Sequence, residues 1–198
     1  MGSSARIVLL TGPSGAGKSR LAERLRANHG WPIVRLDDFY KDVDDPSLPM
    51  HPSLGIPDWD DPASWSADDA CAALRALIET GHCHMPDYDI STSRRVGANE
   101  VTAETTDLIV AEGIFAAECA GPLAEAGLLH SAWCVRNRPA LTFVRRLVRD
   151  LKERRKPPLV LLRRGLSLMR AEPEVVARAS KRGARPATAR EVEAALAR

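Results

Sequence analysis

Ile7-Val8-Leu9-Leu10 is a short apolar run that leads directly into Gly12-Pro13-Ser14-Gly15-Ala16-Gly17-Lys18-Ser19, a complete G-x-x-x-x-G-K-[ST] octapeptide. Leu21, Ala22 and Leu25 follow on one helical face, so the order is strand, glycine-rich turn, helix. That order commits the chain to an α/β architecture. The glycines let consecutive backbone N–H groups turn inward around a polyphosphate, and the start of the helix adds unpaired donors and the positive end of its dipole. Lys18 supplies a full charge for the β- and γ-phosphates, and Ser19 offers its hydroxyl to Mg²⁺. Gly12, Ser14, Gly15, Ala16, Gly17, Lys18 and Ser19 are therefore the expected nucleotide-binding residues, with ATP and Mg²⁺ as cofactors.

Ile33-Val34-Arg35-Leu36 reads as a second strand that stops on Asp37-Asp38-Phe39-Tyr40. In an open parallel sheet the ligand crevice lies beyond the carboxyl ends of the strands, which puts both acids beside the phosphate loop. One of them is a candidate for taking the proton of an attacking hydroxyl, although two acids at a strand end also suit a simple loop cap. Asp107-Leu108-Ile109-Val110-Ala111-Glu112 is a buried strand ending in a carboxylate, so Glu112 is the second expected Mg²⁺-side residue after Ser19.

Between these strands, residues 42–64 hold five prolines, Trp59 and the acids Asp58, Asp60 and Asp61, and show neither a helical nor a strand period. Such a long connection is expected to be an ordered wall on the substrate side. Ser66 then caps a helix whose apolar stripe, Ala70, Ala73, Leu74, Leu77 and Ile78, runs to Gly81. Residues 81–106 read as a small substrate flap, with a polar, aromatic loop over 85–95 and a returning edge over 102–106. His82-Cys83-His84 is no metal site, because neighbours in an extended segment point to opposite faces.

A helix over 118–127 and a fourth strand over 132–135 follow. Pro139 then opens a long helix with Leu141, Val144, Leu147 and Leu151 inward and a cationic face of Arg145, Arg149, Lys152 and Lys156. That face suits a lid, over about 139–158, that stabilises charge on a moving phosphoryl group. Residues 182–188 read as a turn before a last short helix.

The 198 residues suffice for one compact domain, and 28 Lys+Arg against 26 Asp+Glu call for neither nucleic acid nor an anionic membrane as partner. Four cysteines without a C-x-x-C pair suggest reduced, mostly buried thiols. Met1-Gly2 opens like a myristoylation signal, but Arg6 stands where Ser or Thr is wanted. With neither a signal-peptide core nor a long apolar run, the expected location is the cytoplasm.

Taken with G-P-S-G-A-G-K-S, the stretches D-D-F-Y-K (37–41), W-D-D-P (59–62), P-D-Y-D-I-S-T-S-R-R (86–95), A-E-G-I (111–114) and R-R-L-V-R-D-L-K-E-R (145–154) resemble the uridine kinase family of P-loop nucleoside kinases, over roughly residues 7–155. The resemblance implies Asp37 as general base on the acceptor hydroxyl, Asp60 as the ribose ligand, Tyr88 and Arg95 as nucleoside-site residues, and Arg146 and Arg149 as phosphate clamps of the lid. Tyr40, in the same motif as Asp37, is placed with the substrate-side residues. Ile90 and Ser93 stand where the family has the Phe and His that recognise the pyrimidine, and the family's fifth strand is not visible beyond residue 155. The turn over 183–188 is expected to approach adenine, as similar turns do in nucleotide kinases.

The expected molecule is one α/β domain, a parallel sheet of four or five strands flanked by helices with a small flap and a basic lid. Its expected activity is ATP-dependent phosphorylation of the 5′-hydroxyl of a nucleoside. A kinase of nicotinamide riboside or pantothenate, and an ATP-binding regulatory module without turnover, are the rivals. A homo-oligomer is left open.

Overall fold

The computed structural model describes residues 5–52, 55–105, 107–137 and 172–197. Its central sheet has five parallel strands in the order β2-β5-β1-β6-β7, where β1 is Arg6–Thr11, β2 Ile33–Arg35, β5 Leu108–Glu112, β6 Leu129–Val135 and β7 Arg185–Ala187. Alternate residues of the same strand serve opposite faces. Ile7 and Leu9 of β1, with Val34, Ile109, Ala111 and Cys134, pack against helix α2 (Ala67–Thr80), helix α3 (Ala120–Glu125) and helix α4 (172–181). Val8 and Leu10, with Val110 and Val135, pack against α1 (Lys18–His29) and the last helix, α5 (Ala189–Leu196). A strand buried on both faces has no polar alternation, which is why β1 and β5 read as unbroken apolar runs.

The helix ends follow the residues expected to set them. Gly30 and Gly81 close α1 and α2 in the left-handed region, at φ 77° in both cases, and the Ser66 hydroxyl accepts the Asp69 N–H at the start of α2. Residues 42–52 and 55–64 are ordered by their own hydrogen bonds, such as Asp58 N–H to the Pro49 carbonyl (2.8 Å) and Ala63 N–H to Asp61 Oδ1 (2.8 Å). Trp65 ends this connection buried, its indole N–H donating to the Leu36 carbonyl at 2.6 Å.

Several boundaries differ from the sequence reading. The turn expected over 182–188 contains the fifth strand, β7, which pairs Arg185, Pro186 and Ala187 with Trp133, Cys134 and Val135. Three residues with a central proline carry no strand signature, and they are tolerated because an edge strand has only one neighbour to bond. The segment 81–106 is a two-stranded antiparallel ribbon of β3 (His82–Asp89) and β4 (Arg94–Thr102), so the loop expected over 85–95 is mostly strand and the return edge starts eight residues earlier. Nearly all of β4 is exposed, leaving no apolar alternation to reveal it. The helix expected over 118–127 begins as a tight turn at Ala116–Cys119 and continues as α3, while β6 starts three residues earlier than expected. The lid over 139–158, with Arg146 and Arg149, lies outside the described residues.

Cys71, Cys119 and Cys134 are buried and unbridged, and Cys83 is half-buried. Among the described residues no helix is long and apolar enough to cross a membrane.

Replacing Trp65 by Phe keeps an aromatic side chain but removes the indole N–H, stranding the Leu36 carbonyl in the core, and leaves a small cavity. We expect a loss of about 1–3 kcal/mol in urea unfolding with an unchanged m-value. A loss below about 0.3 kcal/mol would show that the indole N–H holds nothing there.

Candidate active site

Parallel register brings the strand ends together. Leu10 lies opposite Glu112, and Glu112 lies opposite Arg35, so the chain leaves β1, β5 and β2 at one level. From β1 the backbone turns through Gly12 (φ 129°), Gly15 (φ 85°) and Gly17 (φ 102°) into α1. At Gly12 a side chain is excluded twice, because that φ disfavours L-residues and a Cβ would run into the Val135 carbonyl oxygen. The first turn of α1 holds no acidic residue, so its positive end stays available to an anion.

Lys18 is buried, and its ammonium donates to the carbonyls of Gly12 (2.8 Å) and Pro13 (3.4 Å), which holds it across the loop. The Ser19 hydroxyl donates to Glu112 Oε1 at 2.9 Å. Burial pushes the Glu112 carboxyl above its ordinary range against the pull of Lys18, and the charge of Asp37 adds to the rise. A hydroxyl beside a carboxylate is a hard-oxygen pair that fits Mg²⁺, an ion that takes one or two protein ligands and keeps waters or phosphate oxygens for the rest. Among the described residues no group of three or more ligating side chains exists for a metal held by protein alone.

The two aspartates after β2 have different surroundings. Asp37 is half-buried, and its Oδ1 accepts the Ile114 N–H at 2.8 Å. The Ile114 carbonyl in turn accepts the Thr11 hydroxyl at 2.8 Å, which ties the ends of β1, β5 and β2 into one unit. Gly113 leaves room for this, because a Cβ there would lie 2.9 Å from both Asp37 Oδ1 and Leu36 Cβ. Asp38 is 7% exposed, and burial pushes its carboxyl up to about 6. Arg35, 3.5 Å away, and the Tyr88 N–H pull the other way, while Asp87 and Asp37 add to the rise.

Beside Asp37 stands an aromatic wall. The Tyr40 ring lies 5.9 Å from each of Trp59, Tyr88 and Phe115, and its hydroxyl donates to the Trp59 carbonyl at 3.3 Å. Burial raises the Tyr40 phenol above its ordinary range, and the charges of Asp37 and Asp60 raise it further. The Tyr88 hydroxyl donates to the Lys41 carbonyl at 3.1 Å and fastens the ribbon to the wall.

The structure thus gathers Gly12, Ser14, Gly15, Ala16, Gly17, Lys18, Ser19, Glu112 and Asp37 at the strand ends, with Tyr40, Asp60 and Tyr88 alongside. Arg95 stands on the ribbon near Tyr88, where its charge opposes the rise of the phenol; its guanidinium pairs with Asp69 of α2 at 3.2 Å and its backbone N–H bonds Asp42 at 2.8 Å. Ile90, at the ribbon tip, is 62% exposed, and Ser93 turns at φ 53°. Gly113, Phe115 and Arg178 were not singled out by sequence. Gly113 follows directly on Glu112 and was within reach of the A-E-G-I motif, whereas nothing local marks the other two.

The model of the Phosphoribulokinase / Uridine kinase family matches residues 7–157. A uridine kinase of Deinococcus deserti is 28% identical over 170 residues, covering 83% of this chain and 77% of that protein. A uridine kinase of Geobacillus kaustophilus is 27% identical over 157 residues, covering 78% and 71%. Among solved structures, a protein provisionally described as a fructose transport system kinase from Silicibacter sp. TM1040 superposes with a TM-score of 0.63 at 16% identity, over 93% of this chain and 88% of that one, a likeness of fold.

Asp38 gives the site a measurable pH signature. A carboxyl held at about 6 when folded, against 3.8 otherwise, binds more protons folded than unfolded between those values. Stability therefore falls as pH rises through that window, and a deficit on the order of 1–3 kcal/mol persists above it. Asp38→Asn is expected to be more stable than the parent by that amount at pH 7.5 and nearly equal to it at about pH 3. Urea unfolding at both pH values checks this, and a gap that does not change with pH contradicts it.

Proposed function

Because the chain belongs to the Phosphoribulokinase / Uridine kinase family and is thereby a P-loop kinase, we propose that it transfers the terminal phosphoryl group of Mg-ATP to the 5′-hydroxyl of a nucleoside. The observation that carries this reading is the placement of Asp37. It shares the strand-end crevice with Lys18 and the Ser19–Glu112 pair on one side, and its charge is felt at the Tyr40 phenol of the aromatic wall on the other. The two uridine kinases at 27–28% identity support a nucleoside as acceptor.

In this mechanism the loop N–H groups and the first turn of α1 bind the phosphates, and Lys18 contributes the neutralising charge. Ser19 and Glu112 would hold Mg²⁺, which neutralises phosphate charge when bound. Asp37, fixed by the Ile114 N–H, takes the proton of the acceptor hydroxyl as its oxygen attacks phosphorus. Asp60 binds ribose hydroxyls, and Arg146 and Arg149 clamp the moving phosphoryl group from the lid. With Ile90 and Ser93 at the ribbon tip, the base is read with little help from the flap, and discrimination among bases is weak. A small-molecule kinase of this kind belongs in the cytoplasm.

ADP release with Mg-ATP is measured against uridine, cytidine, adenosine, nicotinamide riboside and pantothenate. We expect release that depends on a ribosylated acceptor. Asp37→Asn should lower kcat by about 10²-fold or more with ATP affinity retained. Gly113→Ala, which displaces the Asp37 carboxylate, should lower kcat in the same direction with Asp37 still present. Release that ignores every acceptor, or that occurs only with pantothenate, overturns the nucleoside reading, and no release at all favours the regulatory module.

A further inference from the structure

We infer that Arg178 is a specificity-determining residue of the acceptor site, its guanidinium above Phe115 placed to donate hydrogen bonds to a carbonyl oxygen on the acceptor. This rests on the kinase reading above and adds the group by which the far end of the acceptor is recognised.

The geometry comes from α4 and the segment that follows β5. Arg178 Cζ lies 5.2 Å from the centre of the Phe115 ring, and that ring lies 5.9 Å from Tyr40, the residue around which the acceptor wall is built. The guanidinium is thus one ring away from Tyr40. Its positive charge is also felt at the Tyr40 phenol, where it opposes Asp37 and Asp60.

The helix that carries Arg178 is fixed. Arg182, one turn further on the same face, pairs with Glu118 at 2.9 Å, and Ala179 is buried against the sheet. Anchoring therefore falls to Arg182. Among the described residues Arg178 meets no carboxylate at ion-pair distance, and the contact its guanidinium makes there is with the face of Phe115.

The chemistry of the partner follows from what surrounds the crevice. Asp37 and Asp60 already place two negative charges beside Tyr40, which disfavours a highly charged acceptor. A guanidinium offers directional N–H groups and no acceptor, so it selects an oxygen, and the aromatic surfaces of Tyr40, Trp59 and Phe115 favour a planar group that carries it. A carbonyl of a base or of a carboxamide meets both conditions. Arg178 then supplies from α4 the polar contact that the ribbon tip lacks, where Ile90 and Ser93 stand.

The experiment compares the parent with Arg178→Met, which keeps the stem that lies on Phe115, and with Arg178→Lys, which keeps the charge and loses the fork. Steady-state kinetics are run on whichever of uridine, nicotinamide riboside and pantothenate the parent phosphorylates best, all three of which carry a carbonyl oxygen. D-Ribose, which carries no base, is the control acceptor. Uridine or nicotinamide riboside binding is followed in parallel by the fluorescence of Trp59 and Trp65, which flank the wall.

We expect Arg178→Met to raise the acceptor KM about 10- to 100-fold, with Arg178→Lys intermediate. The KM for ATP, the kcat, the melting temperature and the weak use of D-ribose should be unchanged. An acceptor KM within twofold of the parent in Arg178→Met overturns the inference, as does a parallel rise in the KM for D-ribose and ATP with a lowered melting temperature, which marks a structural role. Exclusive use of pantothenate refutes the nucleoside reading alone and leaves Arg178 to be scored on pantothenate. A parent that phosphorylates none of the three overturns both.

Discussion

Three parallel strands that end at the same level are the constraint on which the site depends. The ladder that sets Leu10 against Glu112 and Glu112 against Arg35 delivers a glycine-rich loop, a carboxylate and an aspartate pair to one crevice. The chain segments that follow are then fastened to one another: Thr11 to Ile114, Ile114 to Asp37, Ser19 to Glu112. A slip of one residue between β5 and β2 would turn each side chain to the opposite face of the sheet and carry Asp37 away from the phosphate loop. The geometry of the candidate site is therefore a property of backbone hydrogen bonding first and of side chains second.

Charge is distributed across that crevice with a clear asymmetry. Toward the loop lie the end of α1, without an acid in its first turn, and Lys18. Toward the wall lie Asp37 and Asp60, with Asp38 buried behind them. A polyphosphate is attracted to the first side and repelled by the second, so donor and acceptor are sorted by sign before any specific contact forms. Asp37 stands at the boundary between the two sides, held there by the Ile114 N–H.

The parts of the molecule that sequence made legible are those with a local cause. The octapeptide 12–19 dictates its own turn, and doubly buried strands such as 7–10 and 108–112 must be apolar throughout. The ribbon was hard to see because β4 is almost wholly exposed and β3 buries only Met85 and Tyr88 around a proline at 86, and β7 because three residues around Pro186 offer no period. Arg95 sits in a recognisable stretch, yet its direction depends on Asp69, which only the packing of α2 against the ribbon brings near. Phe115 and Arg178 are 63 positions apart in sequence and meet through the fold alone.

The shortness of the two outer strands has a consequence for how the molecule meets its own kind. β2 and β7 each have three residues, and the middle residue of β7 is Pro186, which has no N–H to give. An incoming strand would find at either margin of the sheet only a brief row of bonding groups, one of them short of a donor. The long, apolar interior strands, which are the hazardous part of such a sheet if left unpaired, are shielded by margins too small to act as a template. Among the described residues the sheet is in this sense self-limiting, because the residues that complete it at either margin give an added strand little to pair with.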